Sequence, residues 1–153
     1  MAHLKWSKNL DTGIAVIDGQ HKQIVDYINQ LHDAKLTQNR AVIAKVIDAM
    51  IDYTISHFGF EESLLEEAGY EFLRPHKRVH ELFIKRVSEY KQRFESGENV
   101  AEELHGLLSR WLFSHILNDD AAYVPAVRAS IKTLETNNKK QGFFKRSLAK
   151  FFG

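Results

Sequence analysis

The sequence predicts an all-α protein: an antiparallel four-helix bundle running up, down, up and down, with an N-terminal arm and a short C-terminal helix and tail. Three observations predict this fold. Only two of the 153 residues are proline, long stretches consist of residues that favour helix, and apolar residues recur at helical spacing in four segments. Because the connections between these long segments are short, consecutive helices should be antiparallel neighbours.

The arm and the first two helices follow from the N-terminal half of the chain. Residues 1–17 form an arm whose apolar side chains can pack on the bundle: Trp6, Ile14, Val16 and Ile17. The first helix is predicted at 18–34, with an apolar stripe at spacings of three and four residues. The second is predicted at 40–67, and Gly69 is placed to end it.

The other helices are bounded by proline, glycine and polar residues. The third helix opens near Pro75, a favourable first-turn residue, and "SGEN" at 96–99 ends it. The fourth has one apolar stripe that contains Leu104, Leu108, Trp111 and His115. After it, "DDAAYVPAVRASIKTLET" predicts a short extra helix, bent or restarted around Pro125.

Composition limits the class of protein. A hydrophobic content of 44% and a charged content of 27% are ordinary for a globular chain, and the length suits one domain. The absence of cysteine excludes disulfides, thiolate metal sites and thiol catalysis. The N-terminus lacks the apolar core of a secretory signal, and no apolar run approaches the roughly 18 residues of a membrane span. A cytoplasmic location, peripheral to the membrane at most, is therefore expected.

The last 17 residues differ from the rest. We divide the chain into a bundle domain, 1–136, and a basic amphipathic tail, 137–153, which has five basic residues and no acidic one. Within 142–153 one side of a helix is apolar and the other basic, which favours a membrane surface or a membrane-bound partner. The alternatives are that the tail folds back on the bundle or that it is a disordered end. The rest of the chain is net acidic, so nucleic acid is not an expected partner.

Each of the four apolar stripes contains at least one histidine, and two of them also bring a carboxylate. The histidines are His21, His57, His76, His80 and His115. Glu61 lies at i+4 from His57. Beyond His115, Asp119 at i+4 is the better same-face partner on an ideal helix, whereas Asp120 at i+5 requires the helix to end or bulge.

A single histidine on an apolar stripe is usually a core residue hydrogen-bonded to a neighbour. Five imidazoles and two carboxylates in one core are different, because each buried polar group without a partner costs about 1–3 kcal/mol. A metal would satisfy them together. Seven donors exceed one zinc site and divide naturally between two ions, and imidazole with carboxylate suits iron, manganese or zinc.

These motifs resemble those of the hemerythrin family, in particular its single-domain bacterial members, the bacteriohemerythrins. The resemblance covers about residues 6–131 and rests on the following segments: tryptophan at 6, "IDGQHK" at 17–22, "HFGFEE" at 57–62, "HKRVH" at 76–80 and "HILNDDAAY" at 115–123. It implies two non-haem iron ions joined by an oxo or hydroxo group and by the carboxylates of Glu61 and Asp120. One iron would be held by His76, His80 and His115, and the other by His21 and His57.

The resemblance also implies a function. The iron with two histidines has an open position, at which O₂ would bind reversibly as hydroperoxide for storage, transport or delivery to an oxygen-consuming enzyme. The wall of this O₂ pocket would be formed by five apolar residues: Ile24, Phe58, Trp111, Leu112 and Ile116. We expect an oxygen carrier rather than an enzyme. We also expect the protein to be a monomer. The alternatives are a sensor of O₂ or redox state, a di-iron peroxidase or oxidase, and an iron store.

Three further histidines, His3, His32 and His105, have no place in the family's pattern. His32 shares the stripe of His21, three turns farther on, and is expected at the rim of the bundle. All three are expected to be non-ligands.

Overall fold

The computed structural model describes residues 3–136 and 138–152, without the side chains of 132–136, 138–141, 143 and 144. Within these ranges the chain forms helices and turns and no strand, so the predicted all-α class is confirmed. A short 3₁₀ turn, Lys8–Leu10, lies in the arm. The remaining elements, in chain order, are α1 (Ala15–Leu36), α2 (Arg40–Glu67), α3 (Leu73–Glu95), α4 (Ala101–Ser114), a π-helical turn (His115–Asp120), α5 (Ala121–Thr136) and α6 (Asn138–Phe152).

The first four helices form the predicted bundle. Helix α1 packs against both α2 and α4, and α2 packs against α3. Helices α3 and α4 meet through the stacked rings of Phe83 and Trp111, whose centroids are 3.7 Å apart. One apolar core fills the space between them, with Ile28, Leu31 and Leu104 fully buried.

Local signals set the helix ends. The side chain of Asn39 caps α2 by accepting hydrogen bonds from the backbone N–H groups of Ala41 and Val42. Gly69, just after α2, and Gly97, just after α3, have φ of +68° and +109°, a region that favours glycine. The predicted second helix therefore has the bounds observed for α2.

The arm is fastened to α1 by hydrogen bonds at two places. The buried carboxylate of Asp18 accepts from the backbone N–H groups of Thr12 and Gly13, at 2.8 and 3.1 Å. This arrangement, similar to the reach-back half of a capping box, lets α1 begin three residues before its predicted start. Farther out, the Asn29 amide donates to the carbonyl of Leu4 and accepts from its N–H. The arm therefore packs on the bundle as predicted.

The irregular turn after α4 lies where a partnership of His115 with Asp120 requires one. The chain passes from α4 through the π-helical turn, His115–Asp120, into α5 without a loop. The extra helix predicted after α4 does not restart at Pro125, which lies inside α5. Its missing N–H removes the bond to the carbonyl of Ala121, the first residue of α5.

The tail forms α6 and folds back on the bundle. Leu148, Phe151 and Phe152 pack into a second apolar cluster, in which the Phe152 ring lies 5.4 Å from Tyr53 and 5.9 Å from Phe60. The basic side chains remain exposed: Lys145, Arg146 and Lys150. Asn137, Gly153 and the side chains of Phe143 and Phe144, which belong to the predicted tail, lie outside the described residues. The division at 136/137 stays a prediction.

Candidate metal centre

The four helices and the π-helical turn bring all seven predicted metal-site residues to one buried place. Their side chains are at most 5% exposed: His21, His57, Glu61, His76, His80, His115 and Asp120. Their donor atoms form two groups, in each of which all the donor atoms lie within 4.8 Å of one another. One group contains Glu61, His76, His80, His115 and Asp120, and the other contains His21, His57 and Glu61.

Glu61 belongs to both groups. Its Oε1 atom lies 2.6 Å from Nε2 of His76 and 3.1 Å from Nε2 of His80. Its Oε2 atom faces the other group, 3.3 Å from Nε2 of His57. The carboxylate therefore has one oxygen toward each set of imidazoles, which is the arrangement a bridging ligand requires.

Asp120 lies between the two groups in the same way. Its Oδ1 atom is 3.0 Å from Nε2 of His115, and its Oδ2 atom is 3.1 Å from Nε2 of His21. The π-helical turn explains this position, because its wider i→i+5 register places residues 115 and 120 on one face. Asp119 instead accepts from the outer nitrogen of the same histidine, with Oδ2 2.8 Å from Nδ1 of His115.

Two further side chains orient histidines from outside the cluster. The carbonyl oxygen of Gln20 accepts from Nδ1 of His57 at 2.6 Å, and a carboxylate oxygen of Glu62 accepts from Nδ1 of His80 at 2.9 Å. Each bond fixes the proton on Nδ1 and leaves Nε2 as a lone-pair donor toward the centre.

Tyr123, fully buried at the start of α5, holds the carboxylate that the two donor groups share. Its hydroxyl donates to Oε2 of Glu61 at 3.1 Å. Burial raises the pKa of Tyr123 well above its usual value, and the charges of Glu61 and Asp120 add to the effect. The phenol is therefore a permanent donor at neutral pH.

The two carboxylates are ionised in spite of burial. Burial raises the pKa of Glu61, but the surrounding imidazoles, His57 first, outweigh it and hold the pKa well below its usual value. The pKa of Asp120 is lowered in the same way. In the absence of metal, the facing carboxylates overcome the opposing effect of burial and raise the pKa of His76 to about 9 and that of His115 to about 10.

Several of the remaining donors lie close to an ion-pair partner in the cluster, yet no described residue satisfies them with a hydrogen bond. Nε2 of His57, both ring nitrogens of His21 and both oxygens of Asp120 are buried without a hydrogen bond from the described part of the chain. Leaving such groups unsatisfied costs about 1–3 kcal/mol each. Nitrogen and carboxylate donors in this number fit metal ions of the iron, manganese or zinc type.

The comparison with known proteins decides the family. A family model described as the hemerythrin HHE cation-binding domain matches residues 12–127, which is well over half of the chain. The chain belongs to the hemerythrin family.

Relatives along the whole length support this assignment. The chain is 59% identical to the bacteriohemerythrin of Pseudomonas aeruginosa (strain LESB58) and 50% identical to that of Stenotrophomonas maltophilia (strain R551-3), over 153 residues and 100% of both chains in each case. A crystal structure of wild-type hemerythrin is 33% identical, with a TM-score of 0.78, and the match covers 82% of this chain and 98% of that one. The resemblance predicted from the motifs is thus confirmed.

Two of the five predicted pocket residues, Phe58 and Trp111, stack on histidines of the cluster. Ile24, Phe58, Leu112 and Ile116 are buried in the main core, and Trp111 is half-buried against it. The Phe58 ring stacks on His80 at 3.8 Å between centroids, and the Trp111 ring stacks on His115 at 4.5 Å. These two aromatic rings therefore cover the group with three histidines. Their role as an O₂ pocket stays a prediction.

Sequence reasoning missed the partners outside the cluster in this hemerythrin. Gln20 and Glu62 are direct sequence neighbours of His21 and Glu61, and that adjacency was the only available signal. The histidines they contact are 37 and 18 residues away in the chain. Such pairs follow from helix packing and not from local spacing.

Proposed function

We propose that this chain is an oxygen-binding protein that holds two non-haem iron ions in the buried cluster and takes up O₂ reversibly. The observation that carries the proposal is the pair of donor groups, unequal in histidines, that share Glu61. Three imidazoles serve one ion and two serve the other, so the second ion has fewer protein donors. The second ion would therefore have an open coordination position for a small ligand from outside the protein.

We assign the metal ligands according to the two groups of donor atoms. Glu61 and Asp120 would bridge two ions, one held by His76, His80 and His115 and the other by His21 and His57. Bound as ferrous iron, the ions would provide reversible two-electron chemistry toward O₂. The chain's own residues supply orientation, through Gln20, Glu62 and Tyr123, and exclude water through the buried apolar side chains around Phe58.

The donor set favours carriage over catalysis. Five neutral imidazoles against two carboxylates stabilise the ferric state less than a carboxylate-rich set would, so release of O₂ stays accessible. The hydroxyl of Tyr123 is already used in a hydrogen bond to Glu61. We therefore assign no residue a catalytic role.

An optical experiment tests the proposal. The anaerobic ferrous protein is exposed to air and then to vacuum. A charge-transfer band in the visible range is expected to appear with air, disappear under vacuum and return over repeated cycles. A single irreversible change to a ferric spectrum would contradict reversible binding and favour the sensor or enzyme alternatives.

Metal uptake is expected to release protons. At pH 7.5, below the raised pKa values of about 9 for His76 and about 10 for His115, both imidazoles carry a proton in the metal-free chain. A metal takes imidazole in its neutral form, so loading with ferrous iron should release about two protons per chain from these imidazoles, and a hydroxide bridge formed from water would add a further one. Anaerobic calorimetry at pH 7.5 in buffers of different ionisation enthalpy measures this number. A binding enthalpy that does not depend on the buffer would contradict the prediction.

For the partner, we propose that O₂ is delivered at a membrane surface through residues 142–153. No helix within the described residues is long and apolar enough to cross a bilayer. Since Leu148, Phe151 and Phe152 pack on the bundle, the surface that α6 offers is its exposed basic side, with Lys145 and Arg146. This basic side suits anionic lipid. We further propose a monomeric protein.

Vesicle binding tests the delivery proposal. The variant with Lys145, Arg146 and Lys150 each replaced by Gln keeps the apolar packing of α6 and is expected to lose binding to vesicles containing anionic lipid. The unmodified chain should sediment with these vesicles at low salt and not with neutral ones. Equal sedimentation of the variant and the unmodified chain would contradict docking through α6.

A further inference from the structure

The histidines outside the main cluster meet at the opposite end of the bundle. His3 of the arm, His32 and Asp33 of α1 present donor atoms that lie within 4.8 Å of one another. Nε2 of His3 is 2.6 Å from Oδ1 of Asp33, and the rings of His3 and His32 are 5.3 Å apart. On α4, the ring of His105 lies 5.4 Å from that of His32. Two imidazoles and one carboxylate therefore converge at this end of the bundle, and the ring of His105 lies beside them.

Two histidines of this cluster, His32 and His105, are buried inside the bundle. Ring nitrogens of both lack a hydrogen-bond partner among the described residues. His105 is 1% exposed, and neither of its nitrogens has a hydrogen-bond partner among the described residues. His32 is 8% exposed, and its Nδ1 is likewise unpartnered within that part of the chain. A neutral imidazole always carries one N–H, so this burial leaves donors and lone pairs unused. By contrast, His3 and Asp33 are exposed, which gives an ion a path from solvent.

This cluster is separate from the main metal centre. His32 follows His21 by eleven residues on α1, which corresponds to about 16 Å along the helix axis. His105 precedes His115 by ten residues at the other end of α4, about 15 Å away. The two clusters therefore lie at different levels of the same helix pair and cannot share an ion.

We propose that His3, His32, Asp33 and His105 form a second metal site, which binds one divalent transition-metal ion of the Zn²⁺ type. Three imidazoles with one carboxylate match the number and kind of donors of a tetrahedral zinc site. Lys35 places a positive charge nearby, which the carboxylate of Asp33 offsets. Bound metal would tie the arm to both α1 and α4. The proposal does not depend on what the main cluster binds.

Zinc titration of the full chain tests this site. The metal content of the purified protein is measured first, and Zn²⁺ is then added in a calorimeter. One zinc ion per chain is expected to bind while the original metal is retained. The affinity should fall more than about tenfold in each of three variants, His3→Ala, His32→Gln and His105→Gln. Asp26→Asn, which removes an exposed carboxylate elsewhere on α1, is the matched control and should bind zinc as before.

The outcomes separate the two clusters. His3 lies on the exposed arm, so the His3→Ala variant keeps the bundle intact. For the His32→Gln and His105→Gln variants, metal retained in the main cluster verifies the fold. Zinc that binds only by displacing the original metal would overturn the proposal. Undiminished zinc binding in the His3 or His32 variant would overturn it as well, and undiminished binding in the His105 variant would remove His105 from the site.

Discussion

The substitution Asp120→Asn is expected to abolish binding of the metal pair, whereas Asp119→Asn is expected to leave two ions bound with about 10- to 100-fold weaker affinity. The carboxylate of Asp120 faces His115 and His21, one from each donor group, with both oxygens buried. An amide there loses the negative charge and one of the two lone-pair oxygens. Asp119 contacts only the outer nitrogen of His115, so its loss disturbs orientation and leaves the donor set intact.

The two adjacent variants control for each other, since they make the same chemical change one residue apart. Iron per chain after loading and desalting is the measurement, and the helical circular dichroism of both variants verifies the fold. Two iron ions in Asp120→Asn, or none in Asp119→Asn, would contradict the assignment of Asp120 as the bridging residue.

The substitution Gly59→Ala is expected to destabilise the protein even though alanine favours helix. Gly59 lies in α2 between His57 and Glu61, and a methyl group there would lie 2.5 Å from Cε1 of Phe151. The ring of Phe151 would have to move, at a cost of about 1–3 kcal/mol, against a gain in helix propensity of about 1 kcal/mol. The substitution should therefore lower the free energy of unfolding and weaken the packing of α6 on α2.

Gly19→Ala is the matched control, because Gly19 is also in a helix and has nothing within 4 Å of an added methyl group. It should stabilise the chain by about 0.5–1 kcal/mol. In a Phe151→Ala background, Gly59→Ala should also become stabilising. Urea unfolding of these variants measures each difference. Equal stabilisation by both glycine substitutions in the unmodified background would show that α6 does not pack against Gly59.

The sequence by itself determined the helical architecture and the donor set. Helical spacing of apolar residues is a local property, and it yields α2 with its observed bounds, 40–67. The motif "HKRVH" places two histidines one turn apart on any helix. Six of the seven predicted donors meet in the structure because each lies on an inward stripe, and inward stripes of one bundle share an axis.

Only the tertiary structure decided how these donors are held. An ideal helix favours Asp119 as the inward carboxylate, and the π-helical turn reverses that preference in favour of Asp120. The contacts of Gln20 and Glu62 join neighbouring helices through residues 37 and 18 positions apart in the chain. The ring of Phe151 in α6 lies where a side chain at Gly59 would be. Periodicity specifies which face of a helix is buried, whereas the register of one helix against another follows from packing between side chains that are far apart in the chain.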